Sequence, residues 1–86
     1  MSEEQKFRVE VEIFGEFYTL KGDSSPAQMM KVAQYVNHKM KQLAERNPKL
    51  SKSQAAVLAA LNMADELLKL REEYENMVKM LEPESK

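Results

Sequence analysis

The sequence has no cysteine, no tryptophan, one histidine and two glycines. Without cysteine there are no disulfide staples, no thiolate metal sites and no thiol nucleophile, which fits a reducing compartment. A single histidine rules out a histidine-based metal site, so a metal would need carboxylates. Two glycines leave no room for a glycine-rich phosphate loop. Long hydrophobic runs are also missing. The longest mostly apolar stretch, Ala55 to Leu61, is far below the ~20 residues needed to cross a bilayer. The start, Met1-Ser2-Glu3-Glu4-Gln5-Lys6, is polar and acidic and does not read as a signal peptide. These absences lead us to expect a soluble cytoplasmic protein with no metal, no cofactor and no membrane partner.

What is present is a short, highly charged chain. Eighty-six residues allow one domain with a small core, and a chain of this size without staples commonly gains stability from a partner chain. The nominal net charge of −1 hides an uneven distribution. Residues 1–23 carry three basic and six acidic side chains, a net of −3. Residues 24–54 carry Lys31, Lys39, Lys41, Arg46, Lys49 and Lys52 against Glu45 alone, a net of +5. Residues 55–86 carry four basic and seven acidic, a net of −3. A basic middle between acidic ends suits an acidic partner.

Residues 7–13, Phe-Arg-Val-Glu-Val-Glu-Ile, alternate strictly, with Phe7, Val9, Val11 and Ile13 on one face. Phe14-Gly15-Glu16-Phe17 follows. A two-residue turn with Gly15 at its first central position suits type II′. That register sets Ile13 opposite Tyr18, Val11 opposite Leu20, Glu12 opposite Thr19 and Glu10 opposite Lys21. It leaves Phe14 and Phe17 on the polar face, either stacked on each other or offered to another chain. A lone hairpin is marginal in water, so a helix must cover its apolar face.

Ser25-Pro26-Ala27-Gln28 is a helix start: Ser25 as cap, Pro26 at the first helical position, Gln28 able to close a capping box. Met29, Ala33, Val36, Met40 and Leu43 then form an apolar stripe, widened by Val32 and Ala44. Lys31, Gln34, His38, Lys41 and Glu45 take the opposite side, and Lys39 and Arg46 share a flank. Asn47-Pro48 ends the helix. Ser51-Lys52-Ser53-Gln54 repeats the capping device, and no Gly or Pro follows until Pro83. The second helix can therefore run ~32 residues, or ~48 Å. Ala56, Ala60, Met63, Leu67, Leu70, Tyr74, Met77 and Leu81 recur at alternating spacings of four and three, a heptad seam. Ala64 and Leu68 prolong a second apolar stripe, so the first half of this helix is expected to be buried on two sides. One side would cover the hairpin and helix one, and the other would meet a second copy.

The fold class expected is α+β: an N-terminal two-stranded antiparallel hairpin packed on helix one, followed by a long coiled-coil helix mediating oligomerisation. Residues 1–6 are expected as a disordered start, 7–50 as a head completed by the start of helix two, 51–82 as the long helix and 83–86 as a tail.

Chemistry is thin. The carboxylates fall on strand faces and a helix exterior, not in a positioned acid–base pair. His38 reads as a surface residue, the serines are explained by capping, and no nucleophile–base–orienter set remains. Met29, Met40, Met63 and Met77 fall on apolar faces as core or seam. No enzyme is expected. The basic block admits three readings on charge alone: a dock for an acidic protein, phosphate contacts to nucleic acid, or a solvated face. Against nucleic acid stand the overall acidity, pI ≈ 5.9, and the absence of interleaved aromatics apart from Tyr35.

Val-Glu-Ile-Phe-Gly at 11–15, Leu43-Ala44-Glu45-Arg46 at the end of helix one and Ala59-Ala60-Leu61-Asn62 opening the long helix together resemble the ZapA family of bacterial cell-division proteins. The resemblance covers residues ~7–82, nearly the whole chain. It implies a non-enzymatic protein that binds FtsZ, cross-links and aligns its protofilaments, and promotes Z-ring assembly and septation at midcell. It implies homodimers through the long helix and homotetramers formed by their pairing, with the heads binding FtsZ. On this resemblance the FtsZ-facing surface is assigned to Lys31, Lys39, Lys41 and Arg46, with Phe14, Glu16 and Phe17 at the hairpin tip; some members carry Arg where this chain has Glu16. The alternative is a small coiled-coil dimer that binds nucleic acid or serves as a generic adaptor through its basic helix one.

Overall fold

The computed structural model describes residues 6–81. Four elements follow in order: β1 (Phe7–Ile13), β2 (Glu16–Gly22), α1 (Pro26–Arg46) and α2 (Lys52–Leu81). The expected tail, Glu82 and all but Lys6 of the expected disordered start lie outside the described residues. The architecture is the expected α+β one: an antiparallel hairpin packed on α1, then a long helix.

The hairpin turn differs from the expected one. Ile13 pairs with Glu16, Val11 with Tyr18, Val9 with Leu20 and Glu10 with Thr19. The central turn residues are Phe14 (φ 51°) and Gly15 (φ 83°), both left-handed, as a type I′ turn requires. Strand pairing is shifted by two residues from the expected register. A shift of two keeps every side chain on its face, so alternation could not separate the alternatives; only a shift of one would have been penalised. Glu10 and Lys21 become diagonal neighbours, and Arg8 stands opposite Lys21. Phe14 and Phe17 do not share a face either. Phe14 packs against Met40, Ala55 and Ala59, whereas Phe17 lies opposite Glu12 and is 66% exposed.

What decides the register is tertiary. A left-handed Phe costs about 1–2 kcal/mol relative to glycine-like freedom. Two contacts offset it: the ring joins the core, and the Phe14 backbone N–H donates to Asn37 Oδ1 of α1 at 2.8 Å.

Both helix starts form, but Gln28 does not close the capping box offered at α1. Ser25 Oγ accepts from the Gln28 N–H at 3.1 Å with Pro26 in the first turn. At α2 the capping box is reciprocal: Ser51 Oγ accepts from the Gln54 N–H (3.1 Å), and Gln54 Oε1 accepts from the Ser51 N–H (3.0 Å). Between the helices Asn47 closes α1 through its N–H to Leu43 O. Its carbonyl then accepts from the Leu50 N–H, a β-turn with Pro48 at the second position. This tight link sends α2 back antiparallel along α1.

The core is small and alanine-rich. Met40, Ala55 and Ala59 are buried, with Ile13, Phe14, Val36, Leu43 and Met63 packed around them. Val11, Met29 and Ala33 are buried where α1 covers β1. Two adjacent alanines, one turn apart, let α2 approach α1 and the hairpin closely. Val32, expected to widen the α1 stripe, is half exposed.

Candidate functional site: two helix flanks and a hairpin tip

Glu66 is the last residue of α2 that is not fully exposed; every residue from Leu67 to Leu81 is open. That segment is about 22 Å long. Of the heptad positions, Met63 is half-buried against the core, while Leu67, Leu70, Tyr74, Met77 and Leu81 are 55–80% exposed, and Ala56 and Ala60 are exposed too. A second exposed stripe, Val57, Leu61, Ala64 and Leu68, lies on the side of α2 turned away from the core. A row of apolar side chains this long is unusual on a solvated surface.

The seven residues assigned to a partner surface separate into two groups. Lys31, Lys41, Arg46 and Phe17 are exposed. Phe14, Glu16 and Lys39 are engaged within the chain. Glu16 sits on the helix-facing side of β2, accepts from Tyr18 Oη at 3.1 Å and forms an ion pair with Lys52 in the first turn of α2. The Lys52 ammonium also lies 5.6 Å from the Tyr18 ring centroid. Lys52 holds the Glu16 carboxyl below its ordinary value, and Glu16 in turn raises Lys52.

Lys39 belongs to a four-residue cluster between α1 and α2. Its ammonium donates to Asn62 Oδ1 at 2.8 Å and is ion-paired with Glu66, whose second carboxylate oxygen accepts from Tyr35 Oη. Lys39 Nζ also lies 5.6 Å from the Tyr35 ring centroid. The bond from Lys39, then that from Tyr35, lowers Glu66; the bond to Glu66 raises both Lys39 and Tyr35.

The basic residues of α1 therefore do not form one patch. At 3.6 residues per turn, Lys39 and Arg46 lie within about 20° of each other on the α2 flank. There they line a polar cleft of about 180 Å³ with Gln42, Asn62 and Glu66. Lys41 lies on the far side of the helix, and Lys31 falls between, nearer the N-terminus. An apolar groove of about 340 Å³ runs on the other side, between β2 and α2, lined by Ile13, Tyr18, Leu20, Met40 and Ala56 and rimmed by Lys52.

Sequence reasoning missed Asn37, Tyr35, Asn62 and Glu66 as structural partners. One signal was available for the cluster: Tyr35/Lys39 and Asn62/Glu66 are both i,i+4 pairs. Such pairs mark one face on each helix, and the short link makes the helices antiparallel neighbours. Among the described residues no group of three or more His, Asp or Glu could hold a metal ion. No helix there is long and apolar enough to cross a membrane.

Comparison with known proteins adds four findings. The family model for cell division protein ZapA matches residues 9–85. A cell division protein ZapA of Geobacillus thermodenitrificans is 46% identical over 84 residues, spanning 98% of this chain and 92% of the relative. One from Shouchella clausii is 47% identical over 70 residues, 81% of this chain and 90% of the relative. Among solved structures, a ZapA mutant dimer from Geobacillus stearothermophilus has a TM-score of 0.73 at 43% identity and covers 94% of each chain.

Proposed function

This chain belongs to the ZapA family of cell division proteins, and on that premise we propose that it is a non-enzymatic, cytoplasmic FtsZ-binding protein. It cross-links and aligns FtsZ protofilaments at midcell and so promotes Z-ring assembly and septation. The single observation that carries the reading is the uncovered heptad stripe, Leu67 to Leu81, on a helix whose proximal half belongs to a basic head.

The first step is self-association. Accessible surface is 7148 Å², against about 5,200 Å² for a compact chain of this mass. The excess, roughly 1,900 Å² on one chain, is more than the ~800 Å² per partner of a standard interface and falls in the range of obligate homodimers when both copies are counted. We assign it to a homodimer seam of Ala56, Ala60, Met63, Leu67, Leu70, Tyr74, Met77 and Leu81, with Met63 shared between seam and core. The solved Geobacillus stearothermophilus structure is a dimer of a ZapA mutant. The Val57–Leu61–Ala64–Leu68 stripe is the surface by which dimers pair into tetramers.

The second step is multivalent binding. Residues 7–50, completed by the first turns of α2, act as the head. Lys31, Lys41, Arg46 and Phe17, the exposed members of the expected surface, supply its contacts to acidic partner surfaces, Arg46 on the α2 flank of α1 and Lys41 on its far side. Two or more heads at fixed spacing raise the effective concentration of the second filament once the first is bound, so weak single-head affinity suffices.

Co-pelleting with FtsZ polymers tests both steps. The native chain is expected to bundle FtsZ, and Lys41→Glu/Arg46→Glu to lose most of that activity while still dimerising. Leu70→Glu, a charge inserted into the seam, should sediment as a monomer and bind without bundling. Equal bundling by all three proteins sinks the reading, as does a native chain that sediments as a monomer at micromolar concentration.

A further inference from the structure

We propose that Tyr35, Lys39, Asn62 and Glu66 form a clamp that fixes the direction in which the distal half of α2 leaves the head, and that Lys39 acts there as a positioning residue and not as a partner contact. These four side chains are the polar tie between α1 and α2, and they lie where cover ends: beyond Glu66 no described residue of α2 is shielded. The apolar side chains that α2 itself contributes upstream are small or flexible. Ala55 and Ala59 permit close approach but have no side chain that resists rotation, and Met63 adapts to many shapes. Ile13, Phe14, Val36 and Leu43 pack around these residues and hold the start of α2, but that packing ends at Met63, and direction where cover ends needs a further tie.

The clamp can supply it. It has two anchor points on each helix, one turn apart: Tyr35 and Lys39 on α1, Asn62 and Glu66 on α2. Sliding one helix by a turn, about 5.4 Å, or rolling it about its axis, would separate both pairs at once. The lever is long. With ~22 Å of helix beyond Glu66, a tilt of about 10° at the clamp carries Leu81 roughly 4 Å sideways. A shift of that size would misalign a heptad seam and any head-to-head spacing built on it.

Lys39 looks like an exposed basic residue of α1 when only the sequence is read. In the structure its three-donor ammonium is committed to Asn62 and Glu66 beside the Tyr35 ring. Charge reversal at Lys39 then acts through Glu66. The cluster also tolerates exchange of its two charges. A Tyr hydroxyl both donates and accepts, and an Asn amide offers a donor as well as an acceptor. Glu at 39 and Lys at 66 therefore find the same partners.

The absence of native cysteine makes the test direct. Spin labels at Gln34→Cys and Glu75→Cys, both exposed positions, report the angle between α1 and distal α2 by pulsed dipolar spectroscopy. A large excess of unlabelled chain ensures that only distances within one chain are read. The expected native result is one narrow distance. Lys39→Met and Glu66→Gln should each broaden it or move its mean by several ångström, and Lys39→Glu/Glu66→Lys should restore it. A distribution unchanged in both single variants overturns the clamp, and so does an exchange that fails to restore the native distance.

The second clause of the proposal rests on the FtsZ reading and is tested separately. Lys39→Glu should impair FtsZ bundling and added Glu66→Lys should recover it; a contact role for Lys39 leaves the exchanged protein defective. If the native chain does not pellet with FtsZ, the FtsZ reading fails while the distance measurements still judge the clamp.

Discussion

The bond from the Phe14 N–H to Asn37 Oδ1 gives a prediction whose sign, and not only its size, separates two accounts. Asn37→Ala removes the acceptor. A half-buried N–H left without a partner costs about 1–3 kcal/mol, toward the lower part of that range where water reaches it. Alanine is the better helix former, and at an interior position of α1 it returns about 0.6 kcal/mol. The net expectation is a loss of about 1 kcal/mol. For a domain of this size that lowers Tm by roughly 4–8 °C. If the turn bond contributes nothing, propensity acts alone and Tm rises instead.

The assay is thermal unfolding followed by circular dichroism at one fixed chain concentration, because association makes Tm concentration-dependent. Asn37→Asp keeps an acceptor at the same place and should stay close to the native Tm. Phe14→Asn supplies a second check. Asparagine suits a left-handed turn position better than phenylalanine, yet the substitution should destabilise, because the ring lost from Met40, Ala55 and Ala59 outweighs the relief of the turn. A native or raised Tm in Asn37→Ala refutes the claim that the register is fixed by contact with α1.

Two other predictions follow from core and charge. Ala59→Leu inserts volume where α2 meets α1 and the hairpin; overpacking there should cost about 1–3 kcal/mol and show as a lower Tm, whereas the same change at exposed Ala64 should be tolerated. Glu16 and Glu66 are held below their ordinary value of 4.5 by Lys52 and Lys39. A carboxyl lowered in the native state adds stability that is present above its unfolded value and is lost as pH falls through the native one. Tm should therefore drop as pH falls below about 5, less steeply in Glu16→Gln/Glu66→Gln; an unchanged acid slope in that variant removes both ion pairs from the account.

Local signals carried most of the fold into the sequence. Strict alternation in Phe7–Ile13, the two Ser–x–x–Gln starts and Asn47-Pro48 each act within a few residues, and each produces the element it marks. The turn register was not legible, because the deciding contacts join residues 14 and 37, and two registers of equal parity look alike in a one-dimensional pattern. The candidate surface was legible in composition but not in availability. Charge counting treats Lys39 and Lys41 alike; only the packing of α2 on one flank of α1 commits the first and leaves the second free. Glu16 has the same history, since its engagement depends on where Lys52 falls when α2 turns back.

The drift between heptad and helix explains how one stripe can serve core and seam in turn. A straight α-helix slips about 20° per heptad against a strict seven-residue repeat. Taking the core-facing direction of Ala59 as reference, Ala60 and Leu67 lie about 80–100° round the helix, whereas Tyr74, Met77 and Leu81 fall within about 60° of it. The distal stripe thus returns to the same sector that Ala55 and Ala59 present to α1 and the hairpin. Up to Glu66 that sector is covered by the head; beyond it the sector is open. A helix that covers Leu70 to Leu81 must then approach on the side of α2 that already carries the head. Within that sector it first makes contact where α1 stops shielding α2, at the Tyr35–Lys39–Asn62–Glu66 cluster, whereas exposed Ala56 and Ala60, about 60–100° round the helix, are reached from beside the head. Val57, Leu61, Ala64 and Leu68 lie on the opposite side, clear of the head along their whole length, so a chain that docks there meets no such constraint.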